Sequence, residues 1–279
     1  MQETIVDYWN VQPPFKASVG DEGSPEWYRS ITDHRHRVVP YLADWARFNA
    51  YRGKRVLEIG CGAGTDLAEF ARHGADVTGV DITDAAVELA KRRLAVEGLS
   101  GRVLKYPGNR LPFEAGSFDL VYSCGVLHHT PFMDDLLAEA HRVLVPGGQL
   151  RMMLYHRRSL LYYYSILYLR QHRAGRPDLD REAVLSRYSE FRTGCPYTRV
   201  FAPEEMSARL WYFDRVETAI DYPVYDTETD RKLPATDRPA VEPTGVPDVD
   251  AFFAEFAAAA AAGEDLRRFG WHLLVTATR

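Results

Sequence analysis

The stretch Val56-Leu57-Glu58-Ile59-Gly60-Cys61-Gly62-Ala63-Gly64-Thr65-Asp66 decides the fold of this chain. Its apolar start predicts a buried strand, and the apolar stripe that follows it and stops at Gly74 predicts a helix. Glycines stand where the backbone takes a positive φ or approaches a ligand closely. The free amides at a helix start favour an anionic group. The stretch therefore predicts a strand, a glycine-rich turn and a helix that together bind a ligand.

A carboxylate ends the next apolar run. Asp81 lies twenty-one residues after Gly60, where a carboxylate accepts hydrogen bonds from the two hydroxyls of a ribose. The ligand is therefore expected to carry an adenosine. Dinucleotide-binding turns have the pattern G-x-G-x-x-G, whereas this turn has Gly60, Gly62 and Gly64 followed by Thr65-Asp66. The spacing makes a nicotinamide dinucleotide the less favoured ligand.

Short apolar runs alternate with amphipathic stretches from residue 55 onward, which is typical of repeated β-α units and a parallel sheet. The predicted strands are 56–59, 77–80, 103–106, 118–123, 150–155, 216–222 and 271–277. A third core helix is expected to end at Pro146-Gly147-Gly148. The fold class is therefore α/β, a Rossmann-like, doubly wound sheet that is mostly parallel.

Four segments follow from these patterns. Residues 1–50 form an N-terminal helical cap, in which Ser24 caps a helix that begins at Pro25. Residues 51–155 form the ligand-binding α/β core. Residues 156–202 form a basic, aromatic lid insertion, with nine arginines against four acids over 156–200. Residues 203–279 return to the core and include an acidic loop, with seven acids against three bases over 226–250.

The core resembles the class I S-adenosylmethionine (SAM)-dependent methyltransferases. The resemblance covers residues 50–155 and rests on five features: the glycine turn, Asp81, Leu111-Pro112-Phe113 with Phe118-Asp119, Ser123-Cys124-Gly125-Val126-Leu127-His128-His129, and Glu139-x-x-Arg142-Val143-Leu144-x-Pro146-Gly147-Gly148. It implies seven strands with an antiparallel last strand. It also implies SAM as the cofactor and methyl transfer to a small metabolite as the reaction.

The resemblance assigns cofactor contacts by position. Those near the methionine part and the ribose are Glu58, Gly60, Cys61, Gly62, Asp81 and Ser123, and those near the adenine are Ile82, Gly108 and Asn109. The sequence departs from the family at Pro107, where an acid usually accepts from the adenine amino group. Adenine recognition is therefore expected from a backbone carbonyl or from Asn109. For Cys61 and Glu58 the residues alone leave a structural role open.

Candidate bases follow strands four and five. His128 and His129 follow the fourth strand, and Tyr155 and His156 follow the fifth, at the edge of a doubly wound sheet where ligands bind. A loop-capping role stays open for the histidines. The expected substrate walls are Tyr8, Trp9, Tyr28, Arg157 and Arg158. The arginines suggest a carboxylate or phosphate on the substrate, and pairing with acidic residues of this chain is the alternative.

Composition limits the other classes of function. The 279 residues are 46% apolar and 26% charged with a net charge of −5, which disfavours nucleic acid as a partner. Apolar runs are too short for a membrane span, the N-terminus has no signal-peptide pattern, and no motif suggests a metal. We expect a cytoplasmic enzyme of specialised or cell-envelope metabolism, with a homodimer left open. The alternatives are a SAM-binding cyclase, lyase or regulatory protein without methyl transfer, and an NAD-dependent oxidoreductase.

Overall fold

The structure is a computed structural model. It describes residues 2–11, 19–176, 180–190, 194–221, 225–226, 231–232 and 241–279. The strands are β1 (Arg55–Ile59), β2 (Asp76–Asp81), β3 (Arg102–Lys105), β4 (Phe118–Cys124), β5 (Leu144–Tyr155), β6 (Arg215–Asp221), β7 (Tyr225–Asp226), β8 (Arg231–Lys232) and β9 (His272–Thr278). All seven predicted strands are present. The short strands β7 and β8 pair only with each other, as an antiparallel ribbon.

The main sheet has the strand order β3-β2-β1-β4-β5-β9-β6. Pairing is parallel between β3 and β2, β2 and β1, β1 and β4, and β4 and β5. The last strand runs antiparallel to β5, because residues 147–148 pair with Arg279 whereas His156 pairs with Trp271. This confirms the predicted Rossmann-like, mostly parallel sheet with an antiparallel last strand. The strand order reverses between β1 and β4, the place where such sheets bind ligands.

The α-helices are α1 (Gln2–Val11), α2 (Pro25–Val38), α3 (Leu42–Ala46), α4 (Thr65–Arg72), α5 (Asp84–Val96), α6 (Met133–Val143), α7 (Arg181–Tyr188), α8 (Pro203–Arg209) and α9 (Pro247–Ala261). Ser24 caps α2 as predicted, since its Oγ accepts the Trp27 amide at 3.1 Å. One predicted boundary is wrong. Residues 144–148 belong to β5 and not to the end of α6, because Gly147 and Gly148 form backbone hydrogen bonds with Arg279.

The chain forms two compact units. The first unit comprises 1–153, 207–217 and 275–279, and it holds the carboxyl ends of β1, β2 and β4. The second unit comprises 154–206 and 218–274. Its core joins the π-helix Leu161–Arg173 to α9, where the rings of Tyr163 and Phe252 stack at 3.9 Å. Much of the predicted acidic loop, and residues 177–179 and 191–193 of the predicted insertion, lie outside the described residues.

Candidate functional site

The glycine turn after β1 is held against the end of β2. The Gly60 amide donates to the Val80 carbonyl at 2.8 Å, and the Gly62 amide donates to Asp81 Oδ2 at 3.1 Å. Gly60 has a φ of 75°, and a Cβ there would lie 2.5 Å from both Cγ atoms of Val126. Any other residue at position 60 would therefore have a strained backbone conformation, and its side chain would overlap Val126.

Asp81 is buried and already holds the turn together. Its Oδ1 accepts the amide and the hydroxyl of Thr83, both at 3.0 Å, while Oδ2 accepts only the Gly62 amide in the described contacts. A carboxylate offers about four acceptor positions, so Oδ2 keeps one for a ligand hydroxyl. Burial raises the pKa of Asp81, and hydrogen bonds from Thr83 and Gly62 act against that rise.

Glu58 is the least satisfied acid of the site. Its side chain is 4% exposed, and Oε2 has no hydrogen-bond partner among the described residues. Burial raises the pKa of Glu58 well above its ordinary value, the neighbouring Asp66 raises it further, and Arg35 acts in the opposite direction. A buried carboxylate oxygen in this condition is stabilised by a cationic ligand group.

Asp66, by contrast, is fully engaged. Arg35 of α2 donates Nε to Oδ1 at 2.7 Å and Nη2 to Oδ2 at 2.6 Å, and the Tyr122 hydroxyl donates to Oδ2 at 2.9 Å. Neither Arg35 nor Tyr122 was predicted from the sequence. A signal was present for Arg35, since Tyr28, Ile31 and Arg35 stand at i, i+3 and i+7, so Arg35 extends the buried face of α2.

Tyr28 has a packing role in place of the predicted substrate contact. It is fully buried, and its hydroxyl donates to the Leu89 carbonyl at 2.7 Å. The Arg93 guanidinium lies 5.2 Å from the centre of its ring. Arg93 also donates to Thr65 Oγ1 at 2.9 Å and to Thr32 Oγ1. These contacts fix α2 to α5 and to the first residue of α4, so we remove Tyr28 from the proposed substrate wall.

The remaining cofactor candidates divide by exposure. Cys61 is buried with its Sγ 3.0 Å from the position of a Cβ on Gly79, so its small side chain fits beneath the turn. The Ser123 hydroxyl donates to the Ile59 carbonyl at 3.0 Å, which leaves its backbone as the ligand-facing part.

Ile82 is half-buried and Asn109 is exposed, so both can meet a ligand. Gly108 is buried beside Pro107, which is exposed.

The two histidines after β4 meet the N-terminal helix. The rings of His128 and His129 are buried with centroids 4.1 Å apart. The Trp9 ring packs edge-on against His129 at 5.1 Å, and Tyr8 packs against Trp9 at 5.0 Å. The structure therefore brings together two of the predicted bases and two of the predicted substrate residues.

The other predicted bases lie in the second unit. The Tyr155 ring stacks on Trp271 at 4.2 Å, and its hydroxyl donates to the buried carboxylate of Glu190, a residue that was not predicted from the sequence. His156 is buried, its Nδ1 is 3.0 Å from the Gly270 carbonyl, and burial lowers the pKa of its ring. These contacts hold His156 as a structural residue of this unit.

The predicted substrate arginines both have acidic partners. Arg157 donates to Glu205 Oε2 at 2.6 Å and to the Val200 carbonyl at 3.1 Å. Arg158 forms an ion pair with Glu255. These contacts favour the alternative that the arginines pair within the chain, although the partners lie in α8 and α9 and not in the predicted acidic loop. Within the described ranges, no group of three or more metal-ligating side chains is placed to hold a metal ion, and no helix is long and apolar enough to cross a membrane.

Comparison with known proteins shows that the core is similar to methyltransferases. Residues 57–152 match the family model described as a methyltransferase domain. A ubiquinone biosynthesis O-methyltransferase of Nitrosococcus oceani is 31% identical over 47% of this chain and 57% of its own length. A phthiotriol/phenolphthiotriol dimycocerosates methyltransferase of Mycobacterium ulcerans is 41% identical over 50% of this chain and 48% of its own length. The chain thus spans about half the length of these curated relatives.

Solved structures agree on the fold. A SAM-dependent methyltransferase of Methanosarcina mazei superimposes with a TM-score of 0.54 at 20% identity, covering 84% of this chain and 96% of that one. The resemblance predicted from the sequence is confirmed: residues 57–152 match the methyltransferase domain, and the fold agrees with that of a SAM-dependent methyltransferase. SAM is the cofactor that this family implies.

Proposed function

We propose that this chain is a SAM-dependent methyltransferase that acts on a small molecule. The observation that carries the proposal is the pairing of a ribose-type carboxylate with an orphan buried acid at the same glycine turn. Asp81 keeps an acceptor position on Oδ2, and Glu58 Oε2 lacks a partner among the described residues. Together these acids fit a ligand that carries both a ribose and an ammonium group, which SAM does and a nicotinamide dinucleotide does not.

Different residues of the site would bind different parts of the cofactor. The Gly60 and Gly62 backbone, with Glu58, would hold the amino-acid part, Asp81 the ribose, and Ile82 the adenine face. Gly108 and Asn109 are our candidates for the adenine edge, because Pro107 offers no side-chain acceptor. When bound, SAM supplies an electrophilic methyl group on a sulfonium.

The chain's own contribution to the reaction is alignment and proton removal. A methyl transfer needs the acceptor atom held at about 3 to 3.5 Å in line with the methyl, with water excluded. We propose that Trp9 and Tyr8 form the apolar wall that excludes water, and that His129, against which Trp9 packs, accepts the proton of a hydroxyl acceptor. His128 is the alternative base at the same turn. Tyr155, whose hydroxyl donates to Glu190 within the second unit, stays a predicted base.

We propose an uncharged, mainly apolar acceptor. The two curated relatives described above are named for ubiquinone biosynthesis and for phthiotriol dimycocerosates. The acidic partners of Arg157 and Arg158 weaken the argument for a carboxylate or phosphate on the substrate. Aromatic walls at Tyr8 and Trp9 suit an apolar molecule. A role in specialised or cell-envelope metabolism is part of this proposal.

The test is a two-stage experiment on the purified chain. Calorimetric titration with SAM, and separately with NAD, identifies the cofactor. Incubation with methyl-labelled SAM and a panel of hydroxylated apolar acceptors, matched to carboxylated analogues, then measures labelled product together with S-adenosylhomocysteine. We expect transfer to the uncharged acceptors. Tight SAM binding with no S-adenosylhomocysteine formed with any acceptor would favour a protein that uses SAM without methyl transfer.

A further inference from the structure

We infer that Arg35 of α2 is a positioning residue of the cofactor site, which neutralises Asp66 and so keeps Glu58 available as the counter-ion of the ligand's ammonium group. The inference rests on the proposed function, because it names the role of a residue toward the cofactor. Arg35 belongs to the N-terminal segment and lies outside the matched domain, residues 57–152.

The geometry commits Arg35 to Asp66. Two hydrogen bonds of 2.7 and 2.6 Å join the guanidinium to both carboxylate oxygens, the bidentate arrangement that gives the strongest charge-assisted pairing. Asp66 is 3% exposed and lies in the first turn of α4, two residues after the glycine turn. The Arg35–Asp66 pair therefore lies directly beside the segment that would receive the cofactor.

The Arg35–Asp66 pair affects the charge state of Glu58. The groups that act on Glu58 are Asp66 on α4, Arg35 on α2, Asp81 at the end of β2, Arg93 on α5, Tyr122 on β4 and the thiol of Cys61. Arg93 is already paired with Glu97 at 3.0 Å. Arg35 is therefore the cation that balances Asp66. Without Arg35, the charge of Asp66 would act on Glu58 unopposed and would favour protonation of Glu58.

The attachment of α2 does not depend on Arg35 alone. Trp27, Tyr28 and Ile31 are buried in one cluster with Ala63. Arg93 ties the same helix to Thr65 through a separate set of hydrogen bonds. A substitution at position 35 should therefore leave α2 docked, and it tests charge more than folding.

The experiment compares two ligands that differ only at the amino-acid end. S-adenosylhomocysteine carries an ammonium group and a carboxylate, whereas 5′-methylthioadenosine has the same adenosine and thioether without either group; the rescue by Asp66→Asn described below separates the two groups. In Arg35→Gln at pH 8 we expect S-adenosylhomocysteine to bind about 10-fold or more weakly, as for loss of one charge-assisted contact, while 5′-methylthioadenosine stays within about twofold. Adding Asp66→Asn to Arg35→Gln should restore the first affinity, and Arg35→Lys should largely retain it.

The outcomes separate this inference from the proposed function. Equal weakening of both ligands, or no weakening of either, overturns the role of Arg35. Failure of the unaltered protein to bind SAM or S-adenosylhomocysteine contradicts the proposed function instead. If Arg35→Gln does not fold, Asp66→Asn decides the matter, because it removes the charge that Arg35 balances. The affinity ratio of the two ligands in Asp66→Asn should stay the same or shift toward S-adenosylhomocysteine, and a shift toward 5′-methylthioadenosine overturns the inference.

Discussion

Replacing Glu58 by Gln should stabilise the ligand-free protein and weaken its cofactor binding at the same time. In the folded chain the pKa of Glu58 is raised by burial and by Asp66. The folded state therefore holds the proton more tightly than the unfolded state does. As the pH rises above the ordinary glutamate value of about 4.3, the unfolded chain releases its proton first, and the native protein loses stability until the pH passes the folded pKa.

Linkage sets the size of this effect. Within that window the free energy of unfolding falls by about 1.4 kcal/mol for each pH unit, and the amide of the Glu58→Gln variant does not titrate. A buried group without a partner costs about 1 to 3 kcal/mol, and more when it is charged, so the uncharged amide removes the larger part of that cost. We therefore expect Glu58→Gln to be about 1 to 3 kcal/mol more stable at pH 8.5. At about 2 to 4 °C per kcal/mol, the melting temperature should rise by roughly 2 to 12 °C, and the difference should shrink toward pH 5.5.

The assay is thermal unfolding followed by circular dichroism from pH 5.5 to 8.5, with SAM affinity measured calorimetrically on the same samples. Loss of a charge-assisted bond of about 1.5 to 3 kcal/mol should weaken SAM binding by about 10- to 150-fold. Asp66→Asn is the matched control, because Asp66 is equally buried but fully paired with Arg35 and Tyr122. That substitution should destabilise the protein by about 1 to 3 kcal/mol. A stability gap for Glu58→Gln that does not grow with pH would refute the reasoning.

Three further predictions concern the ribose contact, the substrate wall and the arginines. Asp81→Ala should weaken SAM binding by about 1 to 3 kcal/mol, measured by calorimetry. Thr83→Ala is the control, because it removes an internal partner of the same carboxylate. It should mainly lower the melting temperature, measured by thermal unfolding. Trp9→Ala should raise the KM for the acceptor far more than the KM for SAM, and equal changes would exclude Trp9 from the wall. Replacing Arg157 and Arg158 by Gln should cost less than about 1 kcal/mol per exposed ion pair and leave the ratio of the two KM values unchanged in steady-state kinetics.

The strands and turns of the core could be predicted from the sequence because each of them depends on residues that are close together in the chain. The glycine turn, the strand-like apolar runs and the Ser24 cap each need only neighbouring residues, and the structure confirms the strands and that cap. The exception is the end of α6. The pairing of Gly147 and Gly148 with Arg279 joins residues more than 130 positions apart, and no local pattern records it.

The site was harder to predict because its electrostatics depend on distant partners. Arg35 and Asp66 are 31 positions apart, and a lone arginine on a helix gives no sign of the acid it will meet. The same reason explains Tyr28: its aromatic ring suggests a substrate wall, but its hydroxyl donates to the distant Leu89 carbonyl. The acidic partner of Tyr155, Glu190, is likewise 35 positions away. Motifs identify which residues approach the cofactor, and tertiary contacts decide which of them carry charge there.

Calorimetric titration of the purified protein with SAM, with NAD as the matched control, tests the central claim most directly. The orphan oxygen of Glu58 and the remaining acceptor position of Asp81 predict micromolar binding of SAM and none of NAD. Binding of NAD in preference to SAM, or no binding of SAM at all, would contradict the account.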